Sequence, residues 1–232
     1  MVFIALYCIA AAFALLASVY LLWRRVNAIA DDVRSSHVLR QWTAAFMVAI
    51  AASHVWWYVI GTYWLTDDWL VRTITVILLD FMTLIPLVMG VLLAMLQDRR
   101  RPLWPWIVAQ VPMVVVAIVG IARRSWLLGY EMAHLWQLAV IVVFVLYYIN
   151  ALKQYRKWLL DNYADLDHKE VWQSLVFVIG LFVVYEVYTS NAGEMMKEYL
   201  SQIITIVIIA FLVWRAETLQ ELDTEETEET NI

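Results

Sequence analysis

The chain has 232 residues, 64% of them hydrophobic and 16% charged, where soluble globular domains run at about 45–50% and about 25%. With a mean hydropathy of +0.72 it is too apolar for an ordinary soluble domain and apolar enough to cross a bilayer repeatedly. The formal charge of -5 says little about the membrane part, because Glu217, Glu221, Asp223, Glu225, Glu226, Glu228 and Glu229 crowd into the last stretch of the chain. Direct nucleic-acid binding is not expected. The single cysteine, Cys8, excludes an intrachain disulfide and leaves the fold to packing alone.

Seven apolar runs reach the roughly 20 residues that a helical span needs. They lie near residues 2–23, 38–61, 69–96, 103–122, 132–152, 171–190 and 199–214. The first has no basic residue ahead of it, has Arg24 and Arg25 behind it, and is longer than the core of a cleavable signal. Of the lysines and arginines, twelve fall on the side of the first, third and fifth loops and the C-terminal end, and four (Arg72, Arg123, Arg124 and Lys197) fall on the other. The positive-inside rule then predicts an N-terminus outside and a C-terminus in the cytoplasm. The expected fold is all-α: a seven-helix transmembrane domain over residues 1–222, followed by an acidic, disordered tail over 223–232. The bilayer itself is the first partner.

The loops add detail. Trp56, Trp57, Tyr58, Tyr63, Trp64 and Trp69 crowd the outer ends of spans two and three, as an interfacial aromatic belt does. Asp167 and Glu170 have the spacing of an N-cap and its third helical residue, which predicts a sixth helix starting just before Val171. Beyond Trp214, Leu212, Leu219 and Leu222 lie on roughly one face, so the seventh helix is expected to run on to Leu222 and protrude into the cytoplasm.

Ionisable and amide groups within the spans are the candidate functional residues, because polar groups at membrane depth are costly. Asp80 lies about 16 Å along the third span from Trp69 at 1.5 Å per residue. Thr73, Thr83 and Gly90 share its side of the helix, which should face protein, and Pro86 removes a backbone donor one to two turns on. His54 lies among small residues of span two, beside Ser53. His134 and Gln137 lie near the outer end of span five, Glu186 near that of span six, and Gln202 just inside span seven. If the spans bundle, Asp80, Glu186, His54, His134, Gln137, Gln202 and Thr83 converge on a pocket open to the outside, with Asp80 at its floor and hydrated by it. The alternative is a scatter of interhelical hydrogen bonds.

Several seven-helix chemistries fit poorly. A retinal protein needs a lysine in the middle of span seven, where there is none. A zinc hydrolase of the progestin-receptor and ceramidase type needs histidines there, also lacking. No metal, cofactor or catalytic residue is therefore assigned. A transporter or intramembrane hydrolase using Asp80, Glu186, His54 and His134 remains the alternative to a receptor.

The stretch Asp161-Asn162-Tyr163-Ala164-Asp165-Leu166-Asp167-His168-Lys169-Glu170-Val171-Trp172-Gln173-Ser174, together with Phe211-Leu212-Val213-Trp214-Arg215-Ala216-Glu217-Thr218-Leu219, resembles the membrane sensory half of bacterial regulators that carry a cytoplasmic AraC-type helix-turn-helix domain or, in relatives, a histidine kinase. The resemblance implies a sensor of the bacterial inner membrane with no chemistry of its own. It would take a small-molecule or periplasmic ligand, act as a homodimer, and deliver its signal through the seventh helix, with Arg215, Leu219 and Leu222 at the output. After Leu222 this sequence has an acidic tail where the resemblance implies a DNA-binding domain. Output through a longer parent protein or through a separate cytoplasmic partner are both open.

Overall fold

The computed structural model describes residues 2–24, 27–29, 33–60, 67–177, 180 and 199–222. Among these the chain is all-helical, and an isolated antiparallel bridge between Ser35 and Gln220 is its one piece of extended pairing. Helix α1, Val2–Trp23, is apolar all round. It buries Ala10, Ala14, Ala17, Ser18 and Leu21, a stripe of mostly small residues three or four apart. In lipid, burying a large side chain gains little over leaving it among acyl chains, so helices associate where small residues let backbones come close. The stripe packs against α2, His37–Tyr58, whose Ala44, Met47 and Ala51 are buried in return.

Helix α3, Trp69–Ala94, opens on Asp68, whose carboxylate accepts from the Leu70 N–H at 3.1 Å as an N-cap, and it runs through Pro86. The run expected as a single fourth span is two helices, α4 (Trp104–Val108) and α5 (Val111–Ala122). Pro112 causes the break: it has no N–H for the Val108 carbonyl and its ring crowds that turn. The Ala109 carbonyl exposed there accepts instead from the Trp136 indole N–H at 2.8 Å. A π-helical turn, Leu127–Met132, leads into α6, Ala133–Asn162. Gly120 of α5 meets Gly129 of this turn so closely that a Cβ on Gly120 would lie 2.1 Å from the Gly129 backbone, an approach that no other residue type permits.

Residues 172–177 and 180 are helical; positions 178, 179 and 181–190 of the sixth expected span lie outside the described residues. The helix starts later than the Asp167–Glu170 spacing predicts. His168 takes a left-handed conformation, φ 60°, which ends the preceding turn, and it is the Asp165 carboxylate that accepts a backbone N–H, from Asp167 at 2.9 Å. The last helix, α7, is Ser201–Thr218. It stops four residues short of Leu222 and does not protrude: Leu219 turns extended, and Ala216, Leu219 and Leu222 are buried.

Among the described residues, four helical stretches are long and apolar enough to cross a membrane: Ile4–Trp23, Trp69–Ala94, Trp104–Ala122 and Leu127–Asn162. The chain is accordingly a membrane protein. Helices α2 and α7 carry polar groups along their length, Arg40, Ser53 and His54 in the one and Gln202, Arg215 and Glu217 in the other. Both nevertheless pack in the bundle, α2 against α1, α3 and α7, and α7 against α1 and α2. The main core is built from α1, α2, α3, α6 and α7, and a second small one, around Ile74, Phe81, Met113, Ala117 and Ala133, joins α3, α5 and α6.

Candidate functional site: two polar clusters at opposite ends of one helix

The first cluster gathers on α2 near its C-terminal end. Ser53, Trp56 and Trp57 stand three and four residues apart, on one helical face, and all three donate to Asp80 of α3. The Ser53 hydroxyl reaches Oδ1 at 2.7 Å, the Trp56 indole N–H reaches Oδ1 at 2.9 Å, and the Trp57 indole N–H reaches Oδ2 at 2.5 Å. Asp80 is half-buried, and its carboxylate is met by these three protein donors. The two indoles, expected as interfacial belt residues, are its ligands.

His54, the residue after Ser53, points elsewhere. Its Nδ1 lies 2.8 Å from the Ile50 carbonyl and its Nε2 lies 2.9 Å from the side-chain oxygen of Gln202, at the start of α7. The carbonyl requires Nδ1 to carry a proton. Nε2 then either carries one too and donates to the amide oxygen, in the imidazolium, or accepts from the amide NH2 turned toward it, in the neutral ring. The charge on His54 thus decides which way round the Gln202 amide sits. Tyr7 of α1 completes the surroundings, its hydroxyl donating to the His54 carbonyl and its ring 4.6 Å from the imidazole.

The other expected pocket residues are not gathered in these hydrogen bonds. The Thr83 hydroxyl donates to Leu79 of its own helix at 2.7 Å. His134 stacks on Tyr130 with ring centres 5.7 Å apart, and the stack continues through Trp126 to Trp69, an aromatic ladder on the α3–α5–α6 side. Gln137 is fully buried, and neither of its amide atoms has a partner among the described residues. Glu186 lies outside the described residues. Among the described residues no three His, Cys, Asp or Glu side chains come together as a metal site.

The second cluster, at the other ends of α2 and α7, was not foreseen from sequence. Arg40 is buried and forks over four oxygens: its Nε donates to the Leu21 carbonyl at 3.0 Å, one terminal nitrogen to Asn27 Oδ1 at 2.9 Å and Ser35 Oγ at 3.2 Å, and the other to the Arg24 carbonyl. Glu217 of α7 is fully buried beside it, accepting from the Tyr20 hydroxyl and from the Ala28 and Ile29 N–H groups, both at 3.1 Å. Asn27 joins the two, since its Nδ2 donates to the Glu217 carbonyl at 2.9 Å while its Oδ1 receives Arg40. Arg40 and Glu217 thus belong to one bonded network, joined through Asn27 at the Glu217 main-chain carbonyl, and each buried charge is met by its own hydrogen bonds.

From there the chain is laced down residue by residue. Arg215 donates to the Glu170 carbonyl, the Gln220 N–H to the His168 carbonyl at 2.9 Å, the Glu221 N–H to the Arg34 carbonyl at 2.7 Å, and the Leu222 N–H to the Gln97 side chain at 2.9 Å. Residues 215–222 are a clamp that ties together the loops after α1, α3 and α6. No family model, curated protein or solved structure matches this chain. What it does must be argued from the two clusters and the helix between them.

Proposed function

We propose that the chain is a seven-span sensory module of a bacterial inner membrane, with its N-terminus outside and its C-terminus in the cytoplasm. It senses a small-molecule or periplasmic ligand at the Asp80–His54 cluster and passes the change through α7 to a cytoplasmic output partner, acting as a homodimer without enzymatic chemistry of its own. The observation that carries this reading is that α7 is one unbroken helix with its first turn bonded to His54 and its last turn locked in the clamp. Gln202 and Glu217 stand about 22 Å apart along it at 1.5 Å per residue. A packed helix is stiff over that length, so turning the Gln202 amide or drawing it away from His54 acts on Glu217. The clamp residues would then present or withdraw Leu219 and Leu222. Coupling of this kind needs an element that both ends bias, and α7 meets that condition.

Two measurements test the reading. A reporter fused after Leu222 should be active only in the cytoplasm and one placed at Asp67 only outside; the same side for both would end the seven-span topology. Transmission is tested by hydrogen exchange of the full chain in lipid nanodiscs. Gln202→Leu should leave the helices protected but speed exchange at the Gln220, Glu221 and Leu222 amides, which donate the clamp's bonds. Unchanged exchange there would mean that α7 does not carry the signal.

A further inference from the structure

A second candidate site lies on the membrane-facing flank of the bundle, where Met82, two residues on from Asp80, falls on the other side of α3. A groove of about 250 Å³ runs between α3 and the broken α4–α5 pair, walled by Met82, Pro86, Ile107, Val111 and Val115 with Gln110 at the break. Its apolar rim faces outward: Met82 is 46% exposed, Ile107 51%, Val111 55% and Val115 53%. Gln110 is only 4% exposed, yet neither its amide oxygen nor its amide nitrogen has a partner among the described residues. A buried amide with no partner is among the costlier things to leave in a hydrocarbon surrounding. On the facing wall Pro86 has no N–H to offer the Met82 carbonyl four residues back, so an acceptor lies on that side as well. None of the residues walling the groove is charged.

We propose that this groove binds the head of a neutral, membrane-dissolved alcohol: an apolar molecule carrying a hydroxyl, which enters from the bilayer and leaves its remaining chain among the lipids. The chemistry selects the class. A hydroxyl both donates and accepts, so it can take the Gln110 NH2 while giving its proton to the Gln110 oxygen or the Met82 carbonyl. A carboxylate or an ammonium would enter a wall that holds no counter-charge. At about 250 Å³ the groove lies below the roughly 300–1,000 Å³ of pockets that engulf a whole ligand, which suits a head group and a short length of chain. The proposal goes beyond the sensory reading and does not depend on it.

The test uses the full chain in nanodiscs and a long-chain primary alcohol carrying a diazirine beside the hydroxyl and an alkyne at its far end, with the methyl ether of the same molecule as control. The alcohol should label peptides containing Met82 or Val111 saturably, and unlabelled alcohol should compete while the unlabelled ether does not. Gln110→Leu should lower saturable labelling about tenfold, the worth of one hydrogen bond in lipid, without lowering the thermal midpoint. Equal labelling by the ether, or labelling unchanged in Gln110→Leu, would identify ordinary boundary lipid and overturn the proposal. Disulfide cross-linking of Val111→Cys between two copies, with loss of labelling in the cross-linked form, would assign the groove to a helix of a second copy and overturn it equally. Should Gln110→Leu fail to fold, Val111→Trp, which fills the groove from its lipid-facing rim, must abolish the saturable labelling that the ether cannot compete.

Discussion

Arg40→Ala is expected to lower stability by about 3–5 kcal/mol, the usual cost of removing one partner from a buried charge network. Four oxygens now receive the guanidinium, from Leu21, Arg24, Asn27 and Ser35, and alanine leaves them without that donor. It also removes the anchor of Asn27, which bonds the Glu217 main-chain carbonyl. Arg40→Lys should restore little, because one ammonium on a flexible stem cannot fan out over four acceptors that lie to either side of a planar fork. The loss should be readable as a lower unfolding midpoint in bicelles and as faster exchange at Glu221 and Leu222. A variant as stable as the parent, with these amides still slow, would show that the clamp is held by Glu217 and the backbone bonds alone.

Asp80 should respond differently to two substitutions of similar size. Asp80→Leu removes the acceptor for three donors at once, the Ser53 hydroxyl and the Trp56 and Trp57 indoles. An unpaired buried donor such as the Ser53 hydroxyl costs about 1–3 kcal/mol, the half-buried indoles cost less, and the three are not additive because they share one carboxylate. Leucine is the better residue for insertion, by the roughly 2.5–3.5 kcal/mol that a central Asp costs there, so the variant should reach the membrane well and then unfold more easily. Asp80→Asn keeps a carbonyl oxygen for at least one indole and should stay folded, while losing the charge on which ligand response or its pH dependence would rest. Indole fluorescence reports both cases, since the two tryptophans lose a charged partner. Equal stability of the Leu and parent proteins would mean that the three donors find water or lipid carbonyls instead, and Asp80 would no longer organise the site.

Much of this architecture is local and was legible in the sequence. Hydropathy and run length placed α1 at residues 2–23 and α3 from Trp69 onward, since apolar length is a property of a contiguous stretch. Helical periodicity put Asp80 and Gly90 on one side, and both face α2, Asp80 through its hydrogen bonds and Gly90 against the Trp42 ring. The break of the fourth run at Pro112 was equally local and could have been read from its missing N–H. What the tertiary structure decided is which partners meet the costs that the sequence announces. Trp56 and Trp57 look like belt residues from composition, and only the crossing of α2 with α3 makes them donors to an acid 24 and 23 positions away. Glu217 looks like the start of a solvated acidic tail; it is fully buried because the backbone of Ala28 and Ile29, 189 and 188 positions earlier, presents two N–H groups to it. Burial of a charge depends on donors brought by other elements, and no periodicity within one helix encodes where those elements will lie.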